Sequence, residues 1–398
     1  MGMKRINIDV LRLGRMLALG GVLACAVCGC GSFGDLAASG GSCGAARHSA
    51  EVQSALAPFV ERGEIAGVVS VLSDDDCNVT ADCFGFADVE GRRPMAMDTV
   101  FAIFSMTKTF TGCAIMVAVD RGILRLEDRV SMYLPEFEAL KQPVTIRDCM
   151  SHMSGISGGN VDIFKRSVPL REAARHLAQF GKCEVAPGVR FRYGNAHIDA
   201  AAACLEVASG MPYERFLHEN VLDPLGMVDT RFEPTPDMVA RMAKAYTTKG
   251  GPFAPGNDRC CRQLVFPVGH KVYPSAAAGL FSTPRDMIRF SQMLAHHGER
   301  KGVRIVSRKT FDEIWAKKQT PDGIEQPYTV GSWLYGDWFG HEGAMRTDQR
   351  ANLKTGHSRV FFIQTENKAG KAFFDAKKAW HEACDRAQGM SVPFEARN

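Results

Sequence analysis

Several signatures that would name a chemistry outright are missing from this sequence. It has no His-Glu-x-x-His helix, and no paired Cys-x-x-Cys sets outside the first thirty residues. No metal-ligand spacing is therefore present. There is no internal repeat, which argues against a solenoid or propeller. Apart from a short Gly/Ser-rich stretch near the N-terminus, nothing reads as disordered or of low complexity. There is no basic stripe either. The net charge is +4, and Lys4, Arg5, Arg12 and Arg15 against Asp9 supply +3 of it, leaving about +1 for the rest. That balance, without interleaved basic and aromatic residues, excludes a nucleic-acid footprint.

What remains is ordinary globular material. The chain has 398 residues, 45% hydrophobic and 23% charged, enough for a substantial core. Length alone allows two or three domains, or one composite domain. Residues 1–30 read as a targeting segment. Basic residues up to Arg15 precede "MLALGGVLACAVCGCG", an apolar run too short to span a bilayer. "VLAC" ending at Cys25 and "VCGC" ending at Cys30 each resemble a bacterial lipobox. The expectation is an exported, periplasmic protein anchored to a membrane by lipid on Cys25 or Cys30. The plainer alternative is a cleaved signal with incidental cysteines. Residues 31–46 read as a flexible tether.

Thirteen cysteines suit an oxidising setting. Cys77 and Cys83 are six residues apart. In one strand they would be separated by about 20 Å, against the ~5.5 Å a disulfide needs. They can bond only if Cys77 lies in a turn and the chain doubles back. Cys113, Cys149 and Cys204 sit in apolar helical patterns and read as buried free thiols. Cys260 and Cys261 are adjacent in a Gly/Pro-rich segment.

The element order is informative. "AEVQSALAPFVERGE" has helical spacing, and "AGVVSVLSD" and "VTADCFGFADVEG" read as strands around an Asp-rich turn. "SMTKTFTGCAIMVAVDRG" is a long apolar helix ending at Gly122. Residues from about 125 to 270 are mostly helical patterns between Pro and Gly loops. "TPRDMIRFSQMLAHHG" has Pro284 in its first turn and Gly298 just past its end. Strand patterns follow around 339–348 and 358–364, and then a helix, "AGKAFFDAKKAWHEACDRA". Strands at both ends with helices between them predict an α+β fold. Its antiparallel sheet is built from both termini, with a large helical insertion.

Three short motifs carry possible chemistry. Ser105-Met106-Thr107-Lys108 is the single S-x-x-K of the chain, a pattern chance supplies about once at this length. Its setting is better than chance, because an apolar run leads into Ser105 and a strong helix follows. A Ser at a helix N-terminus has free N–H groups beside it, and Lys108 lies one turn on along the same face. Tyr193-Gly194-Asn195 is the single Y-x-N. A phenol beside an ammonium can serve as a general base, and Asn195 can donate to a substrate carbonyl. The plainer roles are a corner Tyr and a helix N-cap. His341-Glu342-Gly343 enters a strand pattern, where Gly343 allows a substrate backbone to approach. "HHG" at 296–298 reads as a helix end. Lys354-Thr355-Gly356 presents a rival triplet, because Lys-Thr-Gly is a signature of serine β-lactamases and penicillin-binding proteins.

Taken in order, the three motifs resemble the serine β-lactamase-related family, in its class C, esterase and D-amino-acid peptidase branch. "TIRDCMSHMSGI", "NVLDPLGMVDTRF" and "AGLFSTPRDMIRFSQML" are similar to further stretches of that family. The resemblance covers about residues 50 to 390. It implies an α/β sandwich of the β-lactamase/transpeptidase type for residues 47–398. Ser105 would be the nucleophile, Lys108 its partner in proton transfer and Tyr193 the general base. Asn195 and His341 would position the substrate. Gly343 would leave room at the strand edge, and the N–H groups of Ser105 and Ala344 would form the oxyanion hole. No metal or organic cofactor is implied. The partners implied are a small-molecule or peptide substrate and a membrane through the lipid anchor.

Two departures bear on the substrate. "SAAAGL" at 275–280 stands where the family often has glycines, and narrows the space beside the site. His341 replaces the Lys of K-T-G and is neutral near pH 7, while Glu342 would repel a carboxylate if it pointed inward. The first restricts the size of the substrate; the second argues against efficient penicillin hydrolysis and makes an ester or peptide at least as expected. The expected function is an exported serine hydrolase that forms an acyl-enzyme on Ser105 and hydrolyses an ester or amide, as an esterase, D-peptidase or weak β-lactamase. The alternative is an inactive penicillin-binding-like lipoprotein that binds cell-wall peptides. In the family's order the working triplet begins a strand, and a turn, a second strand and a helix follow it. Only His341-Glu342-Gly343 satisfies that count, which makes Lys354-Thr355-Gly356 a hairpin tip.

Overall fold

The computed structural model describes residues 47–160, 168–247, 254–255, 274–365 and 370–390. The signal and tether segments, Cys25, Cys30, Cys260 and Cys261 lie outside them. Helix α1 spans Ala50–Glu61 and is capped by the Ser49 side chain, which accepts from the Val52 N–H. Strands β1 (Gly67–Ser73) and β2 (Val79–Asp88) follow as an antiparallel hairpin, and β3 (Arg93–Pro94) joins the edge. The chain then builds helices α2 (Thr107–Asp120), α3 (Leu170–Phe180), α4 (Ala196–Ser209) and α5 (Pro284–Ala295). It returns to the sheet as β4 (Trp333–Tyr335), β5 (Trp338–Glu342), β6 (Asp348–Asn352) and β7 (Ser358–Phe362). Helix α6 (Lys371–Ala387) closes the chain. The seven strands lie in the order β4-β5-β6-β7-β1-β2-β3, and the pairs β4–β5, β5–β6, β6–β7, β7–β1, β1–β2 and β2–β3 are antiparallel.

Both termini feed one sheet, as the element order predicts. Strand β1 is buried along its whole length because both faces are covered. On one face Val68 and Leu72 pack with Val52, Leu56, Phe361 and Trp380, residues of α1, β7 and α6. On the other, Val69 and Val71 join the large core around α2, α4 and α5. Each fully buried Val, Leu or Phe in these layers contributes about 1.5–3 kcal/mol. Helices α2 and α5 meet through Phe110 and Phe290, whose rings stack at 3.9 Å.

One element differs from the sequence reading. The pattern at 339–348 is not a single strand. It holds the end of β5, a turn over 343–347 and the start of β6. The Gly343 N–H donates to the Thr347 carbonyl at 2.7 Å, and Arg346 adopts φ +67°. The triplet therefore ends its strand.

Cysteine placement is mixed. Cys113, Cys149 and Cys204 are buried free thiols, as their helical setting predicts. Cys77 does lie in the turn where the chain doubles back, with φ +59°, and is nonetheless free. Cys83 pairs with Val69 across the hairpin and is disulfide-bonded.

Candidate active site

A short strand pair, Phe101–Ala102 with Phe281–Ser282, leads into a 3-10 turn at Phe104–Met106 that runs straight into α2. Phe104, the residue before Ser105, takes φ +42°. A bulky residue there stores about 1–3 kcal/mol of strain, which the surrounding packing must hold. Phe104 is buried against Val100, Ala278 and Met345. Sequence reasoning missed this, because nothing in "AIFSM" announces a left-handed residue.

Lys108 is the second residue of α2, one turn on from Ser105, and is fully buried. Its ammonium donates three hydrogen bonds, to Ser105 Oγ at 3.1 Å, Asn195 Oδ1 at 2.8 Å and the Ala277 carbonyl at 3.0 Å. All three donors of the ammonium are thereby satisfied. Asn195 sits immediately before α4 with helical φ and ψ, and its side chain makes no capping bond. The plainer N-cap role is not realised, because Lys108 takes its amide oxygen instead. Ala277 belongs to "SAAAGL". Ala276, Ala277 and Ala278 are buried, so their methyl groups fill core space and do not narrow the open face of the site. The stretch acts through its backbone carbonyl.

Tyr193 is 42% exposed, and its ring centroid lies 4.7 Å from Lys108 Nζ. Its ring is 6.1 Å from that of His341. His341 itself is buried in β5. Its Nδ1–H donates to the Glu342 carbonyl at 2.7 Å, which leaves Nε2 to accept from the Tyr328 hydroxyl at 3.2 Å. Burial, then the charge of Lys108, pushes the His341 pKa down to about 3. The imidazole is neutral near pH 7. Its tautomer is set by the Glu342 carbonyl, which can only accept, and its other nitrogen is held by Tyr328, which the sequence reading did not single out.

Gly343 is required by close approach. A Cβ there would lie 2.5 Å from the Ile103 carbonyl oxygen and 2.2 Å from Thr347 Oγ1. Its backbone therefore rests on the turn that carries Ser105, and the Ala344 amide follows directly. Glu342 does not point inward. Successive residues of a strand face opposite sides, and Glu342 pairs with Arg350 and with Lys377 of α6, each at 2.7 Å, on the far face of the sheet.

The rival triplet is elsewhere. Lys354-Thr355-Gly356 forms the β6–β7 turn. Asn352 Oδ1 accepts from the N–H groups of Lys354 and Thr355, and Gly356 has φ +71°. A Cβ on Gly356 would collide with Asp75 of the β1–β2 turn. Strand β6 separates this tip from the Gly343 turn, and five residues of strand span about 17 Å.

The structure thus gathers Ser105, Lys108, Tyr193, Asn195, His341 and Gly343 around one turn. Around them lies an aromatic group that the sequence reading missed: Phe191, Tyr328, Trp333 and Tyr335, with His152 4.5 Å from the Tyr193 ring.

Comparison with known proteins places the chain in a family. The chain is 30% identical over 238 residues to the D-alanyl-D-alanine-carboxypeptidase/endopeptidase AmpH of Escherichia coli K12, covering 56% of this chain and 57% of that protein. It is 26% identical over 349 residues to esterase EstB of Burkholderia gladioli, covering 75% and 87%. Among solved structures, EstCE1, a hydrolase with promiscuous acyltransferase activity, superposes with a TM-score of 0.70 at 23% identity, over 83% of this chain and 97% of that one. The family profile described as Beta-lactamase matches residues 52–383, and the chain belongs to that family.

Proposed function

We propose that this protein is a serine hydrolase that cleaves an ester or amide through an acyl-enzyme on Ser105. The observation that carries the reading is the buried Lys108 ammonium bonded to Ser105 Oγ at 3.1 Å. Burying an ammonium is costly unless every donor is met. Here the cost is borne at a serine whose backbone is held in a strained turn. Because Lys108 already donates three bonds, its role is to hold Ser105 Oγ and stabilise developing negative charge. Tyr193, over which the same ammonium lies, is the group left to carry the proton. Ser105 Oγ attacks the carbonyl and its proton passes to the Tyr193 oxygen. Tyr193 then returns that proton to the leaving group. The amides of Ser105 and Ala344 hold the oxyanion. Water attacks the acyl-enzyme to finish the cycle.

Esters and unhindered amides fit better than penicillins. A penicillin carboxylate needs a cation near the triplet, and His341 is neutral with both ring nitrogens engaged. Arg350 of the adjoining strand β6 pairs with Glu342 on the opposite face. The similarity to EstB supports the same choice. A panel of short-chain esters, nitrocefin and D-Ala-D-Ala peptides tests it. Ester or peptide turnover should exceed nitrocefin turnover, and efficient nitrocefin hydrolysis would overturn the preference.

Export belongs to the same reading. The disulfide at Cys83 suits an oxidising compartment. The segment before Cys25 and Cys30 suits a lipid-anchored protein. Incorporation of labelled fatty acid, lost on replacing one of those two cysteines, tests the anchor; a chain that never takes up the label refutes it.

A further inference from the structure

Beyond Tyr193 the aromatic rings are ordered. Trp333 lies with its plane 9° from that of Tyr193 and its centroid 6.5 Å away. Tyr335 continues the series, 8° from Trp333 at 5.8 Å. Residues 333 and 335 are two apart on the edge strand β4, so the strand period itself sets both rings on one side. Tyr328 buttresses the row. It is fully buried and stands at 89° to Trp333, with centroids 4.7 Å apart. Phe191 borders Trp333 at 5.9 Å. Tyr193 is exposed, and Trp333 and Tyr335 are half-buried. A core cluster would bury such rings and tilt them at mixed angles. These stay open and near-parallel, at the spacing aromatic pairs prefer.

We propose that Tyr193, Trp333 and Tyr335 form a stacking subsite for a flat aromatic leaving group, so that the preferred substrates are esters of aromatic alcohols. This rests on the reading of Ser105 as nucleophile and Tyr193 as proton carrier. On that reading the departing oxygen leaves against Tyr193, and Trp333 is the next surface it meets. The step balances: the Ser105 Oγ–acyl bond forms, the acyl–oxygen bond to the alcohol breaks, and the alcohol keeps the proton that Ser105 gave to Tyr193. Charge narrows the class. Lys108 Nζ lies over the Tyr193 ring at 4.7 Å. A cationic leaving group would meet like charge at that end of the row, whereas a neutral flat ring would not.

The test compares benzyl acetate with cyclohexylmethyl acetate, which share an acyl group and bulk but differ in having a flat π face. Stacking worth the usual aromatic-pair energy gives the native protein a kcat/KM preference for benzyl acetate of about fivefold or more. Trp333→Ala should bring that ratio to about one, and Trp333→Phe should keep most of it. A preference for the cyclohexyl ester, or a ratio unchanged in Trp333→Ala, overturns the subsite while leaving the hydrolase reading intact. If neither ester is cleaved in a Ser105-dependent way, the hydrolase reading stands or falls on the other esters and the peptides of the panel. The subsite is then judged by calorimetric binding of benzyl alcohol to Ser105→Ala with and without Trp333→Ala. Loss of binding with the second substitution supports it, and equal or absent binding ends it. Thermal melts of each variant confirm that it has folded.

Discussion

Lys108 and Asn195 are 87 positions apart, yet the Lys108 ammonium donates to Asn195 Oδ1 at 2.8 Å, a shorter contact than its 3.1 Å bond to Ser105. That pair ties the nucleophile helix α2 to the start of α4. Its two halves predict different losses. Lys108→Ala should lower kcat/KM by about a thousandfold, in the range for groups that assist proton transfer. Asn195→Ala leaves a buried ammonium one acceptor short. It should cost about 1–3 kcal/mol of stability besides slowing turnover. Ester kinetics beside urea unfolding measure both. A Lys108→Ala protein of unchanged rate would contradict the assignment.

Gly343→Ala tests the contact beneath the nucleophile. The added methyl meets the Ile103 carbonyl and Thr347 Oγ1. Backbone cannot yield cheaply, so the turn carrying Ser105 must shift, at about 1–3 kcal/mol. A displacement of that kind should lower acylation by about a hundredfold. Stopped-flow acylation with a chromogenic ester would show it, together with a melting temperature reduced only moderately. Normal acylation would mean that the close approach is unimportant.

The charges behind β5 and β6 should matter for stability and not for substrate choice. Arg350 is fully buried and pairs with Glu342 at 2.7 Å and Asp348 at 3.0 Å, while Lys377 pairs with the same two carboxylates. Arg350→Leu strips the buried Asp348 of one cation and should cost about 3 kcal/mol by denaturant midpoint. Glu342→Gln should leave nitrocefin turnover within about twofold, because its carboxylate sits on the far face of a strand. A tenfold rise in that variant would instead place Glu342 at the substrate.

Stability should fall on mild acidification. His152, His197, His341 and His381 are held below the ordinary histidine value of 6.5, by burial first in each case. Lys108 adds to the effect at His152 and His341, and Lys377 at His381. His197 lies at about 4 and His341 at about 3. The unfolded chain protonates all four near 6.5, and the folded chain does not. The stabilisation is therefore complete above that pH and is lost as pH falls toward the folded values. Each group adds a slope of up to ~1.4 kcal/mol per pH unit. Urea midpoints at pH 7.5, 6 and 5 should decline steadily. A flat profile would show that these histidines titrate normally when folded.

The sequence made the sheet legible from both ends, because β1 and β7 are apolar runs and α1 and α6 have clear helical spacing. Ser105 with Lys108, Tyr193 with Asn195, and His341 with Gly343 were legible because each pair sits at short spacing inside one element or turn. The turn at 343–347 was not, since its left-handed residue is Arg346 and no glycine or proline marks that position. The Ala277 carbonyl is backbone and carries no residue signature. The aromatic row was hidden for another reason. Tyr193 comes from a loop before α4, and Trp333 and Tyr335 from a three-residue edge strand too short to show a period. Only tertiary packing brings them together. The Lys-Thr-Gly triplet teaches the converse, for a familiar string lies at the wrong end of β6.

The central claim is that Ser105 is acylated, and intact-protein mass spectrometry after exposure to a fluorophosphonate probe tests it most directly. The account predicts a single adduct on the native protein, mapped to the peptide containing Ser105 and absent from Ser105→Ala. An unlabelled native protein, or a Ser105→Ala variant labelled equally well, would contradict it.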